Sequence, residues 1–465
     1  MTATYGVAEA AAWMQATLLQ GQRDLSFGPV CIDSRKVARG DLFFAIRGPN
    51  HDAHDYLAQA VAAGAAGLVV ERGRALPQDL APGLPVLAVD DTTRALGRLA
   101  AGHRRGFHGP LVAITGSNGK TTTKEMCAAI LSVSAPCLKT EGNLNNEFGV
   151  PLTLLRRDES HRRLVIEIGM NHRGEIAPLA ALARPTVAVI TNVGMAHIEN
   201  LGSQDEIALE KGDLVAALDA RGTAVLNAED PRCLAQARRS PARLRSFGRA
   251  TGDVRAEHVS SLGERGFAFD LVAPEGRAAV HVAGLGDATL LNALAAAAAA
   301  LAAGAPLADV ASGLARYRPV SGRMERMTLP RNVILINDTY NANPQSMEVA
   351  LRGLAELKGT SRGLAVLGDM GELGEAAPGA HRATGQLVGR LGLDFLFVLG
   401  CHAAETAAGA LEAGMDPGRV RVGRDHDETS RQVREVLQGD DWVLVKGSRS
   451  ARMERVVAAL AEGER

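Results

Sequence analysis

Eight apolar runs recur from Leu111 onward, each stopping at a glycine or a polar turn: "LVAITG", "RLVIEIG", "TVAVITN", "TAVLN", "VILIND", "LAVLGD", "FLFVLG" and "WVLVKG". Runs this continuous, without polar alternation, are strands covered on both faces. The helical stretches between them are the crossovers that parallel strands require. The expected class is therefore α/β, and 465 residues suffice for roughly three domains. Residues 1–108 read as a small α/β N-terminal domain that ends in "RRGFHGP". Residues 109–318 read as a mostly parallel central sheet with helices on both faces and an antiparallel segment over 253–283. Residues 319–465 form a Rossmann-like α/β C-terminal domain that starts near "YRPVSGR".

In open α/β sheets ligands bind beyond the carboxyl ends of the strands. Here those ends carry Gly116–Thr122, Glu167, Asn192–His197, Asp338–Asn343, Asp369 and Lys446. The first of them is decisive. "ITGSNGKTTTKEM" resembles a phosphate-binding loop, but the standard spacing would need glycine at position 114, where Ile114 stands. In the compressed version Gly116, Ser117, Asn118 and Gly119 cradle phosphate with backbone amides. Lys120 meets the β/γ-phosphates, and Thr121, followed by Thr122, opens the helix with a hydroxyl for Mg²⁺. The central domain is thus P-loop-type.

Charge narrows the ligands. A formal net charge of −1 favours neither nucleic acid nor an anionic membrane, so anions must be held by local sites. Five scattered cysteines without a C-x-x-C pair argue against a disulfide framework and a zinc site. The opening "MTATYGVAEAAAW" lacks a basic start and a long apolar core, and "LLNALAAAAAALAAGA" is too short for a span and carries Asn292. A cytoplasmic protein without a membrane span is expected. Lysine is scarce: seven, at 36, 120, 124, 139, 211, 358 and 446, against 44 arginines. A lysine kept in such a chain marks places where a compact primary amine is needed.

Three further residues stand out. Glu167 interrupts a two-sided buried strand, which is costly unless the carboxylate is hydrogen-bonded, bound to metal or paired with an arginine. His197 follows the next strand in "TNVGMAHIENLGS", although imidazole is not a typical Mg²⁺ ligand. Lys211, in "ALEKGDLV", is either a surface lysine paired along its helix with Glu210 or Asp213, or a special amine.

Together "TGSNGKTTTKE", "EIGMN", "TNVGMAH…LEKG", "GRME", "NDTYNANPQSM", "LGDMGELG" and "VKGSRS" resemble the Mur ligase family, from about Asp33 to the C-terminal helix. The loop G-x-x-G-K-[ST] is that family's own. The resemblance implies ATP-driven amide formation through an acyl phosphate, most like the member that joins UDP-N-acetylmuramoyl-tripeptide to D-alanyl-D-alanine. It implies that Thr121 and Glu167 hold the nucleotide Mg²⁺, that His197 holds a second, and that Lys211 acts as a carbamate. Ser34 and Arg35 match diphosphate contacts of the first domain, and Asn143, Asn145 and Asn146 a segment near the nucleotide-sugar peptide. Arg323, Asp338, Tyr340, Asn341 and Asn343 match positions facing ATP or the dipeptide. Lys446 and Arg449 match contacts to the dipeptide carboxylate, although a basic turn after the last strand would look the same at Arg449. Asn292 is the implied adenine contact. Where the family shows G-x-H-N-x-x-N, this chain reads "GDATLLN", with Ala288 and Thr289 in place of the His and Asn. The other readings are a diaminopimelate- or lysine-adding Mur ligase, a folylpolyglutamate synthase, a P-loop regulatory ATPase and a nucleotide-sugar-binding protein. A monomer is expected.

Overall fold

The computed structural model describes residues 4–462; residues 1–3 of the opening segment and 463–465 lie outside the described residues. Its centre is a six-stranded parallel sheet in the order Arg243–Phe247, Thr223–Asn227, Val187–Ile190, Leu111–Thr115, Arg163–Glu167, Cys137–Lys139. The period-two geometry of a strand sends neighbouring side chains to opposite faces, and both faces are apolar here. Leu111, Ala113, Leu164, Ile166, Ala188 and Ile190 enter one core, while Val112, Ile114, Val165, Val187 and Val189 enter another. That two-sided burial is why these segments read as unbroken apolar runs.

The first core continues into the N-terminal domain, where Leu42, Phe44, Val69, Leu87, Leu96 and Leu99 join it. That domain carries a five-stranded sheet, parallel from Val30–Cys31 through Leu42–Phe44 and Gly67–Glu71 to Val86–Val89, with Thr17–Gln20 added antiparallel. Tyr5 Oη donates to the Leu155 carbonyl at 2.8 Å across the seam. The second core is covered by the alanine-rich helix Ala288–Ala302, whose small side chains let it lie close on the sheet and on helix Lys120–Leu131. The antiparallel strands Arg255–Ser261, Phe267–Ala273 and Gly276–Val282 complete that side, matching the antiparallel segment expected there.

The C-terminal sheet runs Glu325–Leu329, Val333–Asp338, Trp442–Lys446, Gly363–Gly368, Phe395–Leu399, Val420–Val422, antiparallel only at its first strand. It too has two apolar faces. The chain leaves the strand Val333–Asp338, builds the far half of the sheet and returns at Trp442–Lys446 to fill the gap. That return sets Asp338 beside Lys446 in register. Among the described residues no helix is long and apolar enough to cross a membrane.

Candidate active site

The loop between the strand Leu111–Thr115 and the helix Lys120–Leu131 leaves no room for side chains at two points. A Cβ on Gly116, at φ +148°, would lie 1.8 Å from Thr191 Oγ1. One on Gly119, at φ +80°, would lie 2.2 Å from Asn292 Oδ1. The neighbouring strand end clamps the loop in place. Asn192 Oδ1 accepts from the Asn118 amide at 2.9 Å, and Asn192 Nδ2 and Thr191 Oγ1 donate to the Asn118 carbonyl at 3.1 and 2.6 Å. Gly119 offers no side-chain cap, so the first amides of the helix face whatever anion occupies the loop. Gly116→Ala is expected to destabilise the protein by about 1–3 kcal/mol, because it forces a strained φ and displaces Thr191. Urea unfolding together with the KM for ATP checks this; both unchanged would contradict it.

Lys120 is sequestered within this loop, its Nζ donating to the carbonyls of Gly116 at 2.7 Å and Ser117 at 3.4 Å. Desolvation lowers its pKa, with Glu167 opposing. Phosphate oxygens are stronger acceptors for this ammonium than loop carbonyls. Glu167 is 1% exposed, and the arginine pairing left open by the sequence does not occur among the described residues. Instead Thr121 Oγ1 donates to its Oε2 and Asn145 Nδ2 to its Oε1, both at 2.9 Å. The buried carboxylate is therefore compensated by hydrogen bonds from Thr121 and Asn145, beside the loop that carries Lys120.

Lys211 overturns the surface-lysine alternative. It is 1% exposed, inside the helix Gln204–Ala216. Neither suggested partner meets it: Glu210 accepts the amides of Gly174 and Ile176 at 2.8 and 2.9 Å, and Asp213 pairs with Arg239. Among the described residues no hydrogen bond or ion pair reaches its amine. Burial first, and then the Lys120 charge, push its pKa well below the ordinary lysine value. An uncompensated ammonium here is expensive; a neutral, nucleophilic amine is not.

The C-terminal domain forms the opposite wall. Lys446 Nζ reaches Asp338 Oδ2 at 2.5 Å and the Asn341 carbonyl at 3.1 Å, and Asp338 Oδ1 accepts the Met324 amide at 3.1 Å. The Arg323 guanidinium lies 4.0 Å from the Tyr340 ring centroid, and its buried Nε has no hydrogen-bond partner among the described residues. Asn343 caps the helix Pro344–Leu357 and donates from Nδ2 to Asn118 Oδ1 at 2.8 Å, joining the two walls. Gln345 does the same, its Oε1 accepting from Asn118 Nδ2 at 3.0 Å. His197, at φ +63°, faces the Glu372 carboxylate, which it holds below the ordinary range against the opposing effect of desolvation.

The walls enclose one cavity of about 800 Å³. Of the residues picked from sequence, Ser117 to Thr122, Asn143, Asn145, Asn146, Glu167, His197, Asn292, Arg323, Asp338, Tyr340, Asn341, Asn343 and Lys446 line it. Gly116 and Lys211 do not line it, although Lys211 lies within electrostatic reach of Lys120. Ser34 and Arg35 stand in the N-terminal domain, Ser34 Oγ donating to Gln59 Oε1 at 3.2 Å and Arg35 forking onto Asp33. Arg449 is 70% exposed on its side chain, pairs with Glu454 and is not part of the cavity wall. The turn after the last strand carries it outward. Sequence reading missed Gln345 and Glu372; both sit inside quoted motifs, "NDTYNANPQSM" and "LGDMGELG", which was the available signal.

Family models match almost the whole chain: Mur ligase family, catalytic domain over residues 28–104; Mur ligase middle domain over 114–300; Mur ligase, glutamate ligase domain over 322–449. The chain belongs to the Mur ligase family. It is 40% identical to the UDP-N-acetylmuramoyl-tripeptide–D-alanyl-D-alanine ligase of Escherichia coli (strain K12), with 96% of each chain covered. Identity to the Bacillus subtilis (strain 168) protein of the same name is 34%, over 93% of each. Among solved structures, MurF from Acinetobacter baumannii superposes with a TM-score of 0.90 at 32% identity, covering 99% of each chain. MurF from Thermotoga maritima, solved in complex with ADP, gives 0.80 at 28% identity, covering 93% of this chain and 97% of that one. As a Mur ligase this chain is an ATP-dependent ligase, and the cavity between its central and C-terminal domains is where its phosphate loop faces the rest of the machinery.

Proposed function

We propose that this ligase joins the terminal carboxylate of UDP-N-acetylmuramoyl-tripeptide to the amine of D-alanyl-D-alanine, driven by ATP, to give the UDP-N-acetylmuramoyl-pentapeptide of peptidoglycan synthesis. Near-full-length identity to ligases of that name supports the substrates. One observation carries the chemistry: the carboxyl ends of two sheets meet at one cavity, with Lys120 and Glu167 on one wall and Asp338 and Lys446 on the other. A reaction with three participants needs such a divided site.

In this reading residues 1–108 bind the nucleotide sugar, with Ser34 and Arg35 on its diphosphate. Residues 109–318 bind ATP, and 319–465 contribute the dipeptide site and part of the ATP site. Asn143, Asn145 and Asn146 hold the tripeptide. Gly116, Ser117, Asn118, Gly119 and Thr122 wrap the phosphates, and Asn292, Arg323 and Asp338 hold the rest of the nucleotide. Lys120 steadies the transferring phosphoryl group while a tripeptide carboxylate oxygen attacks the γ-phosphorus, and the bond to the β-phosphate oxygen breaks to release ADP. The dipeptide amine then attacks the acyl carbon of the resulting acyl phosphate, and phosphate leaves. Tyr340, Asn341 and Asn343 orient the dipeptide, with Lys446 serving its carboxylate.

The donors fit Mg²⁺. The Thr121 hydroxyl and the Glu167 carboxylate are hard oxygens already turned toward each other. Lys211, buried and without a hydrogen bond or ion pair among the described residues, can in its deprotonated form take up CO₂ to become an anionic carbamate, which with His197 would hold a second ion. Bound Mg²⁺ would neutralise phosphate charge as it shifts during transfer. We place the enzyme in the cytoplasm as a monomer.

Phosphate release tests the assignment. With ATP and Mg²⁺, release should require both UDP-N-acetylmuramoyl-tripeptide and D-alanyl-D-alanine, and the product should be heavier by the dipeptide less water. Release that leaves the tripeptide unchanged, or none with this pair, would sink the substrates. It would send the search to the dipeptide-stage precursor and to folate with glutamate.

A further inference from the structure

Lys124, which the reaction does not use, is 0% exposed on the helix Lys120–Leu131. Burying an ammonium this completely is expensive unless it is fully engaged. Its Nζ pairs with Glu125 Oε1 at 2.9 Å and donates to the Thr140 carbonyl at 2.7 Å, while Lys139 meets the other oxygen of Glu125. Thr140, also 0% exposed, comes directly after the strand Cys137–Lys139. Its amide donates to the Val165 carbonyl at 3.0 Å, and its Oγ1 accepts the Glu167 amide at 3.0 Å. A few residues on, the Asn145 carbonyl accepts the Gly169 amide at 2.8 Å while its Nδ2 holds Glu167 Oε1. Thr140 is thus the point from which both the backbone of Glu167 and the loop carrying Asn145 are hung, and Lys124 pins it to the phosphate-loop helix.

The geometry points to Lys124 and Thr140 as positioning residues that set the Glu167 carboxylate against Thr121. The inference rests on the reading that Glu167 holds the nucleotide Mg²⁺. Partners of this kind, one bond removed from a metal ligand, typically change metal affinity 10–100-fold when lost.

The test is the apparent Kd for Mg²⁺ of the full chain with ADP bound, titrated calorimetrically without turnover, with the Mg²⁺ concentration giving half-maximal rate read alongside. Thr140→Val, close in shape but without the hydroxyl, should raise it about 10-fold. Thr140→Ser, which restores the acceptor, should return it to within about twofold of wild type. Lys124→Met should act in the same direction, and the double variant Lys124→Met/Thr140→Val should be no worse than the stronger single, as expected of one chain of contacts. The KM for D-alanyl-D-alanine should stay put in all of them, which a general loss of packing would not ensure. If Lys124→Met does not fold, the Val and Ser variants still decide. Glu167→Gln separates the two claims. A raised Mg²⁺ requirement there, with wild-type behaviour in Thr140→Val, overturns the positioning role alone. A wild-type requirement in Glu167→Gln overturns the metal assignment and the positioning role together.

Discussion

Lys120→Met is expected to lower kcat by about 10³-fold, equivalent to about 4 kcal/mol of transition-state stabilisation. The reason is local. Lys120 opens its helix, sits inside the loop and offers the only ammonium hydrogen-bonded to the loop carbonyls among the described residues. Its ammonium is partly withdrawn from water, so its interaction with a transferring phosphoryl group is stronger than a surface lysine could provide. Lys120→Arg should fail almost as badly, because a planar fork cannot replace a compact ammonium bonded to the loop carbonyls of Gly116 and Ser117. Steady-state rates at saturating substrates, with circular dichroism to confirm the fold, decide the matter. More than a tenth of wild-type kcat in Lys120→Met would contradict the role.

The second large effect is at Lys211. Both Lys211→Arg and Lys211→Met should lose at least about 100-fold in kcat, or about 2.7 kcal/mol. Arginine keeps a cation and methionine keeps the volume, but neither can form a carbamate. Were the residue needed for positive charge, arginine would retain activity; were it needed only for packing, methionine would. The depressed pKa also fixes a pH sign. Carbamate formation needs the unprotonated amine, and burial makes that form available below the usual lysine range. The wild type should therefore lose activity in CO₂-depleted buffer near neutral pH and regain it on adding bicarbonate, with both variants indifferent. Wild-type turnover in either variant would remove the carbamate.

Much of the fold and the phosphate loop is plain in the chain because the relevant physics is local. Short apolar runs bounded by glycine or polar turns read as two-sided strands, and the loop lies within one short stretch. Lysine scarcity marks more than the reacting groups: Lys124, Lys211 and Lys446 are buried around the cavity or its supports, and Lys120 is half-buried inside its loop. Lys124 is harder to read from sequence because its partner, Thr140, is defined by how strands are ordered, which no motif states. Glu167 is legible as a carboxylate needing compensation, but the choice of Thr121 and Asn145 over an arginine depends on three segments converging. Contacts between domains are least legible. Asn118 and Gln345 are 227 positions apart, and nothing in either segment announces the other. Arg449 shows the opposite difficulty: a basic residue beside a site motif, turned outward by the last degrees of a turn. Thr289, one of the two departures from the family pattern, donates its hydroxyl to the Leu285 carbonyl at 2.9 Å, tying the start of its helix to the segment before it.

The central claim is that a substrate carboxylate oxygen attacks phosphorus in the cavity where the phosphate loop faces the C-terminal domain. It is tested most directly with UDP-N-acetylmuramoyl-tripeptide carrying ¹⁸O in both oxygens of its terminal carboxylate. Activation through an acyl phosphate transfers one labelled oxygen to each phosphate released and leaves the other in the new amide. Mass spectrometry of the phosphate should therefore show a single ¹⁸O per molecule, formed only when D-alanyl-D-alanine is present to complete the turnover. Unlabelled phosphate accompanying a genuine pentapeptide product would contradict the account.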